Sequence, residues 1–261
     1  MKKIYIDAGH NFSDFNTGAM GNGMREQDIT FEVAFLLGEV MGRHGLDVLL
    51  SRPAFHTNLG HNSASAINAR WQEANRWGAD YFVSIHTNAG GGIGAETLFY
   101  REQDRSFAQR VQDIYTEEMG LRNRRIWRRD DVAVVRFTNM PAILVELAFI
   151  DAPRTAPDVD ILRNHRPKIA EALAKSILTH IDIPYVAVVP LDDPPSQPNT
   201  DTIPQRFQTI PEMPHWARPT LAMLVEEGHL NGIGDIPGEN LDLSYDMIRT
   251  FVVFDRAGAF D

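Results

Sequence analysis

The sequence predicts an open α/β fold, a mostly parallel central sheet with helices packed on it. Three observations lead there. Short runs rich in β-branched and aromatic residues, such as Ile4-Tyr5-Ile6, Tyr81-Phe82-Val83-Ser84-Ile85 and Ala142-Ile143-Leu144-Val145, alternate with longer stretches of helical periodicity. The first such set reads strand, helix, strand, which implies a right-handed parallel crossover. At 261 residues, 43% of them hydrophobic, the chain can bury one good core and carry a small second unit.

In order, Ile4-Tyr5-Ile6 is the first strand, broken by Asp7-Ala8-Gly9, which leaves His10 at the tip. Residues 11–23 are rich in Asn, Asp, Ser and Gly and read as a loop. From 26 to 44, Ile29, Val33, Leu36, Leu37, Val40 and Met41 recur at helical spacing, with Gly45 as the cap and residues 46–50 as the second strand. Residues 63–77 form a helix ended by Gly78, and the next strand delivers His86. Four glycines between 88 and 94 let the backbone come close to a ligand. Strand 95–100 and helix 106–119 follow, then strands at 132–135 and 142–149, and a mainly helical stretch at 161–181 whose regular part starts at Pro167.

Composition changes near residue 184. Eight of the fifteen prolines lie between 184 and 214, which predicts a semi-extended linker over 184–212 after a first domain of residues 1–183. Residues 213–261 read as a small helical module: helix 217–227, glycine loop 228–238 and helix 244–256, with Trp216, Leu221, Leu224, Met247, Ile248 and Phe251 as its core. The net charge of −10 is concentrated here, with 12 acidic and 4 basic residues from Tyr185 onward. An acidic tail argues against nucleic acid as a partner. No apolar run approaches the ~20 residues of a membrane span. Asp7 and His10 cut the first apolar stretch too short for a secretory leader, so a cytoplasmic protein with no signal is expected.

The absence of cysteine excludes disulfides and thiolate metal sites, so a metal would be held by histidine and carboxylate. His10, His86 and Glu146 each follow an apolar run, and Glu26 opens a helical pattern. In an open α/β sheet ligands sit beyond the carboxyl ends of the strands, so the four groups are expected to gather on one edge. Zinc hydrolysis uses three protein ligands, an open position and a carboxylate that carries a proton. Two histidines, one ligand glutamate and one free glutamate fill those roles. Singly, His10 could close a turn, His86 could be a bonded core histidine, and Glu26 could be a favourable charge in a first turn. Glu146 is hardest to assign to structure alone, because it interrupts an apolar strand where an unpartnered carboxylate is costly. His44, His56, His61, His165, His180, His215 and His229 lack a matching strand-end position.

Asp7-Ala8-Gly9-His10, Arg25-Glu26-Gln27-Asp28, Ser84-Ile85-His86-Thr87-Asn88 and Leu144-Val145-Glu146-Leu147-Ala148-Phe149 resemble, in order and spacing, the zinc-dependent N-acetylmuramoyl-L-alanine amidases. Gly94-Ala95-Glu96-Thr97 resembles that family's strand after the second histidine. The resemblance covers residues 2–181. It implies a sheet of about six strands flanked by helices, Zn2+ on His10, Glu26 and His86, and Glu146 as general base. The implied substrate is peptidoglycan, cut between the lactyl group of N-acetylmuramic acid and L-alanine. The family's strand-end glutamate is usually followed by Gly-Phe, where this chain has Leu147-Ala148-Phe149. The module at 213–261 resembles one S-layer homology repeat, through Leu224-Val225-Glu226-Glu227-Gly228 and Asn231-Gly232-Ile233-Gly234-Asp235. Wall attachment and self-association both stand as its roles.

The expectation is therefore an endolysin-like amidase of the cell wall, with no nucleic-acid or membrane partner, held in the cytoplasm until released. A non-catalytic wall-binding protein of the same fold and a zinc peptidase cutting the stem peptide are the alternatives.

Overall fold

The computed structural model describes residues 1–187, 206–213, 218–230, 241 and 243–244. The chain divides into two compact units, Met1–Val186 and Ala187–Asp261. The first begins with β1 (Lys3–Ala8), a small hairpin of β2 (Met20–Gly21) and β3 (Met24–Arg25), and helix α1 (Glu26–Arg43). Then come β4 (Asp47–Leu50), α2 (Ser63–Trp77), β5 (Tyr81–Asn88), β6 (Ala95–Phe99), α3 (Arg105–Met119) and β7 (Asn123–Arg128). Helix α4 (Ala133–Arg136), β8 (Ala142–Phe149), α5 (Pro157–Asn164) and α6 (Arg166–His180) complete it.

The six-stranded sheet runs β4-β1-β5-β8-β6-β7. The first four strands are mutually parallel, β6 is antiparallel to β8, and β7 is parallel to β6. Alternation along each strand divides the core in two. Ile4, Ile6, Val83, Ile85, Ile143 and Val145 pack with α1, α3, α5 and α6. Tyr5, Phe82, Leu98, Ala142 and Leu144 face the other way, with Ala74 of α2 and Val134 and Val135 of α4. Asp7, Ser84, His86, Glu96 and Glu146 share the parity of this second face. Because α4 is only 4 residues long, the layer on that face is thin, and Glu146 is the one half-buried position in an otherwise buried β8.

Helix boundaries follow local chemistry. Asn62 and Ser65 form a reciprocal capping box at the start of α2, and Gly78 ends it at φ 71. Glu26 and Asp28 place negative charge in the first turn of α1, where the helix dipole favours it.

Three expectations are corrected. Residues 132–135 form most of α4 and not a strand; Val134 and Val135 turn into the core while Arg136 faces out, which is helical spacing that a four-residue β-branched run conceals. The edge strand is instead β7, whose run of arginines hides its strand character. The stretch 161–181 is two helices, because Pro167 allows only a fresh start at α6 after α5 has ended at Asn164.

Among the described residues of the second unit, β9 (Arg206–Phe207) pairs antiparallel with β10 (Leu243–Ser244), and α7 spans Arg218–Glu226. Phe207, Met213, Leu221, Leu224, Leu241 and Leu243 form its buried cluster. Ser244 ends a strand, whereas the sequence places it at the start of a helix; the rest of 244–256, most of the linker and most of the glycine loop lie outside the described residues. No helix among the described residues is long and apolar enough to cross a membrane.

Candidate metal centre and its carboxylates

The chain leaves β1 at Ala8, and the next two residues are set by close packing. A Cβ on Gly9 would lie 2.6 Å from the His86 ring and 2.6 Å from the Ile85 carbonyl oxygen, so glycine is what lets the two strand ends meet. His10 sits at φ 68, a left-handed conformation that costs a residue with a side chain about 1–2 kcal/mol. What holds it there is a set of bonds to the turn's own carbonyls. Arg70 of α2 donates Nη1 to Ala8 O at 2.5 Å and Nη2 to His10 O at 2.6 Å. Thr30 of α1 donates its hydroxyl to Gly9 O at 2.6 Å. Arg70 Nη1 also pairs with Asp7 Oδ1, while Ser84 donates its hydroxyl to Asp7 Oδ2 at 2.7 Å. Burial alone would raise the Asp7 carboxyl, but Arg70 and the Ser84 hydroxyl hold it below its ordinary value.

Glu26, the first residue of α1, reaches the same place from the other layer. Its Oε1 lies 3.1 Å from His10 Nε2 and 3.1 Å from His86 Nδ1, and accepts the Thr87 N–H at 2.9 Å. Its Oε2 accepts the Ala19 N–H at 2.8 Å. Burial opposes ionisation of Glu26, yet its bonds to the two imidazoles drive its pKa far below the carboxylate range. Gly18 closes the cradle: a Cβ there would meet His10 at 2.7 Å and Glu26 Oε2 at 2.8 Å. One nitrogen from each histidine and one Glu26 oxygen lie within 4.8 Å of one another, the one such trio among the described residues. Asn16 Oδ1 is 3.3 Å from His10 Nδ1, which leaves Nε2 to face the trio. Burial holds the His86 imidazole below its ordinary pKa and so in the neutral form that coordinates metal. Two imidazole nitrogens and one carboxylate oxygen, with no thiolate, are a donor set that fits a borderline dication such as zinc.

Glu146 stands beside the trio and outside it. In the β5–β8 register it is directly opposite His86, and in the β6–β8 register directly opposite Glu96. Neither His86 nor Glu146 ends its strand, as the apolar runs suggested; β5 continues to Asn88 and β8 to Phe149. Glu146 Oε2 is buried without a hydrogen-bond partner. Burial, then the charges of Glu26 and Glu96, push its pKa up to about 8 against the pull of Arg129. Glu96 is itself held by Asn88 Nδ2 at 2.9 Å and Arg124 Nε at 3.0 Å.

Sequence patterns do not single out Arg70, Thr30, Asn16 or Gly18, because each acts through contacts that local spacing does not reveal or through space it leaves empty. Asp7 carries a signal, a carboxylate directly after the apolar run Ile4-Tyr5-Ile6, that in the sequence reads only as a break although the residue lies inside β1. Among the other histidines, His44 bonds the Val40 carbonyl, His56 packs on Phe12 and Phe55, and His61 is exposed. The irregular stretch after β4 supports α1. Its fully buried Arg52 donates to Gln27 O at 2.8 Å and Phe55 O at 2.7 Å, pinning the first turn of that helix.

The first unit has counterparts among known proteins. A family model described as N-acetylmuramoyl-L-alanine amidase matches residues 4–179. The sporulation-specific N-acetylmuramoyl-L-alanine amidase of Bacillus subtilis is 36% identical over 161 residues, which is 58% of this chain and 57% of that protein. The N-acetylmuramoyl-L-alanine amidase CwlM of Bacillus licheniformis is 36% identical over 185 residues, 66% of this chain and 69% of its own length. Among solved structures, the catalytic domain of CwlV from Bacillus (Paenibacillus) polymyxa superposes with a TM-score of 0.62 at 27% identity, covering 70% of this chain and all of that one.

Proposed function

The chain belongs to the N-acetylmuramoyl-L-alanine amidase family, and from that premise we propose that it is a zinc-dependent peptidoglycan amidase, with His10, Glu26 and His86 holding Zn2+ and Glu146 carrying the proton. The observation that carries the reading is the orphaned Glu146 Oε2, held by strand register beside a trio of metal-competent atoms.

The reaction adds water across the amide between the lactyl group of N-acetylmuramic acid and L-alanine. Bound to the trio, zinc supplies Lewis acidity toward the scissile carbonyl and toward water. The rest falls to the chain. Glu146 accepts the proton that water loses as its oxygen joins the carbonyl carbon, and returns it to the alanine nitrogen as the C–N bond breaks. Burial and the two flanking carboxylates make the Glu146 carboxylate a stronger base than an ordinary one. His86 and Glu146 keep a small exposed part under the thin helical layer, which gives the substrate amide a way to reach them. The Arg70–Asp7 pair and Thr30 keep the His10 turn fixed, so that the imidazole needs little rearrangement when it binds.

We assign residues 1–183 to the catalytic domain, 184–212 to a linker and 213–261 to an accessory module that attaches to the wall or self-associates. The overall role proposed is lysis of the cell wall in the manner of an endolysin. Digestion of purified peptidoglycan with and without a chelator, followed by mass analysis, tests the reading. Intact stem peptides with free L-alanine amino ends, formed only in the metal-loaded reaction, are expected. Cuts within the stem would instead identify a peptidase, and no cuts a wall-binding protein.

A further inference from the structure

The sheet edge next to this site carries charge that amide cleavage does not use. β7 and its flanks read Arg122-Asn123-Arg124-Arg125-Ile126-Trp127-Arg128-Arg129, a concentrated positive run in a chain of net charge −10. Register shows where it is aimed. Ala95 pairs with Asn123 and Thr97 with Ile126, so Glu96 faces two residues, Arg124 and Arg125, across a bulge. Arg125 is held at φ 75 there, a conformation unusual for any residue but glycine. On its other side Glu96 pairs with Glu146. Glu146, Glu96 and the bulge therefore lie in one row across three strands.

Within the bulge the two arginines do different things. Arg124 turns back to Glu96 and lies 4.7 Å over the Phe149 ring. Arg125 is exposed, as are Arg122 and Trp127. Neither Arg122 nor Arg125 forms an ion pair among the described residues. With Asn123 and Arg124 these residues line an open cavity of about 340 Å³.

We propose that this bulged edge binds a free carboxylate of the peptidoglycan stem peptide, two or three residues beyond the scissile amide; the proposal rests on the amidase reading above. Neighbouring strands are about 4.8 Å apart, so the row from β8 to β7 spans about 10 Å. An extended peptide advances about 3.3–3.6 Å per residue. The cavity therefore meets the second or third stem residue when the amide lies beside Glu146. The second residue, a glutamate joined onward through its side chain, keeps a free α-carboxylate unless it is amidated. A guanidinium matches that group with a planar pair of donors, and Arg122 and Arg125, which pair with no carboxylate among the described residues, supply two.

The test uses two small substrates that differ only in this group, N-acetylmuramoyl-L-alanyl-D-isoglutamate and its isoglutamine counterpart. The purified full-length enzyme is expected to prefer the acid by about fivefold in kcat/KM, expressed mainly in KM, the size of a well-placed and partly exposed ion pair. Arg122→Gln combined with Arg125→Gln should bring the ratio close to one, whereas Arg76→Gln on α2, with loss of a single charge away from the cavity, should not. Equal rates in the wild type, or a ratio that survives the double substitution, would overturn the proposal. Survival of the ratio together with self-association of the double variant would assign the charges to edge protection instead. Inhibition of both substrates alike by inorganic phosphate, without a preference for the acid, would assign the cavity to a phosphate polymer. To separate this from the amidase reading, the Trp127 indole resonance is followed while L-alanyl-D-isoglutamate or its amide is added. A shift for the acid alone supports the cavity even if neither substrate is cleaved, and no shift refutes it even if both are.

Discussion

Adding one methyl group at Gly9 should disable the site without replacing any functional side chain. In Gly9→Ala the new carbon would stand 2.6 Å from His86 Cε1 and Nε2 and 2.6 Å from the Ile85 carbonyl oxygen. Ordinary carbon contacts begin near ~3.5 Å, so about 1 Å must be recovered. The backbone cannot supply it cheaply, since Gly9 N–H bonds that same Ile85 oxygen at 3.0 Å and Ala8 is in register with Ile85. The His86 ring is left to move. Metal coordination tolerates about 0.2 Å, so zinc affinity should fall by at least about tenfold. A misplacement of about 1 Å at the reacting centre costs on the order of 100-fold in kcat. Overpacking of this kind costs about 1–3 kcal/mol, and a domain of this size loses about 2–4 °C per kcal/mol. Competition with a zinc chelator, the melting temperature of the metal-free protein and kcat on peptidoglycan read the three effects. Wild-type zinc affinity together with wild-type kcat in Gly9→Ala would refute the claim that this glycine sets the approach of the two histidines.

Glu146→Gln should abolish turnover, by about 100-fold or more, while zinc content stays stoichiometric; activity within about tenfold of wild type would remove Glu146 from its role. His10→Ala and His86→Ala should each lose the metal on dialysis, checked by elemental analysis of the purified variants, and a full complement of zinc in either would count against the ligand set. Gly42→Ala, in the exposed penultimate position of α1 with open space around its Cβ, should stabilise by about 0.4–1 kcal/mol in denaturant titration and leave kcat unchanged. The Asp7–Arg70 pair should show in acid. The Asp7 carboxyl is depressed below its ordinary 3.8 in the fold, so its contribution is complete above that value and declines as pH falls through the folded pKa. Asp7→Asn should therefore melt well below wild type at about pH 7, and the gap should begin to narrow below about pH 4 and close once pH has fallen through the depressed folded pKa; a gap independent of pH would show that the charge is not what matters.

The parts of the fold that are legible in the sequence are those where one face is buried and the period is clean. Residues 26–44 repeat apolar side chains at helical spacing because α1 lies on the sheet, and Gly45 and Gly78 mark helix ends because a left-handed residue is needed there. Residues 132–135 are not legible. Four apolar residues fit a strand as well as one helical turn, and only the facing core decides. β7 is hidden for the opposite reason: as an edge strand next to solvent it carries Arg124, Arg125 and Arg128, and its pattern looks like a charged loop. Of the proposed site, Glu146 stands out because it interrupts an apolar strand and His86 because it follows an apolar run. His10 comes after a turn and Glu26 lies in a polar stretch, so these two are picked out only by the resemblance of the motifs around them. The supports of all four are found in neither way. Arg70 reads in sequence as the polar face of an amphipathic helix, and nothing local says that it is 2% exposed and bonded to three residues of a turn some sixty positions earlier.

Those supports explain why the core beneath this site contains charge at all. Arg52 and Arg70 are both buried, and the Nε of each lacks a partner, so the region is not optimised for stability. A buried ion pair is weak evidence of stabilisation, since apolar replacements are often as stable. What Arg70 provides that an apolar side chain could not is direction: it donates to the carbonyls of Ala8 and His10 while the Asp7 carboxylate neutralises it. Thr30 takes the carbonyl between them. The turn therefore has each of its three carbonyls fixed from two different helices, and His10 stays in a backbone conformation it would not choose alone. Arg70→Met should thus be worse than a lost ion pair. It leaves Asp7 buried beside apolar atoms and frees the His10 turn, so that zinc affinity and melting temperature should fall together, while Arg70→Lys, which can reach one carbonyl but not two, should recover stability more fully than metal binding.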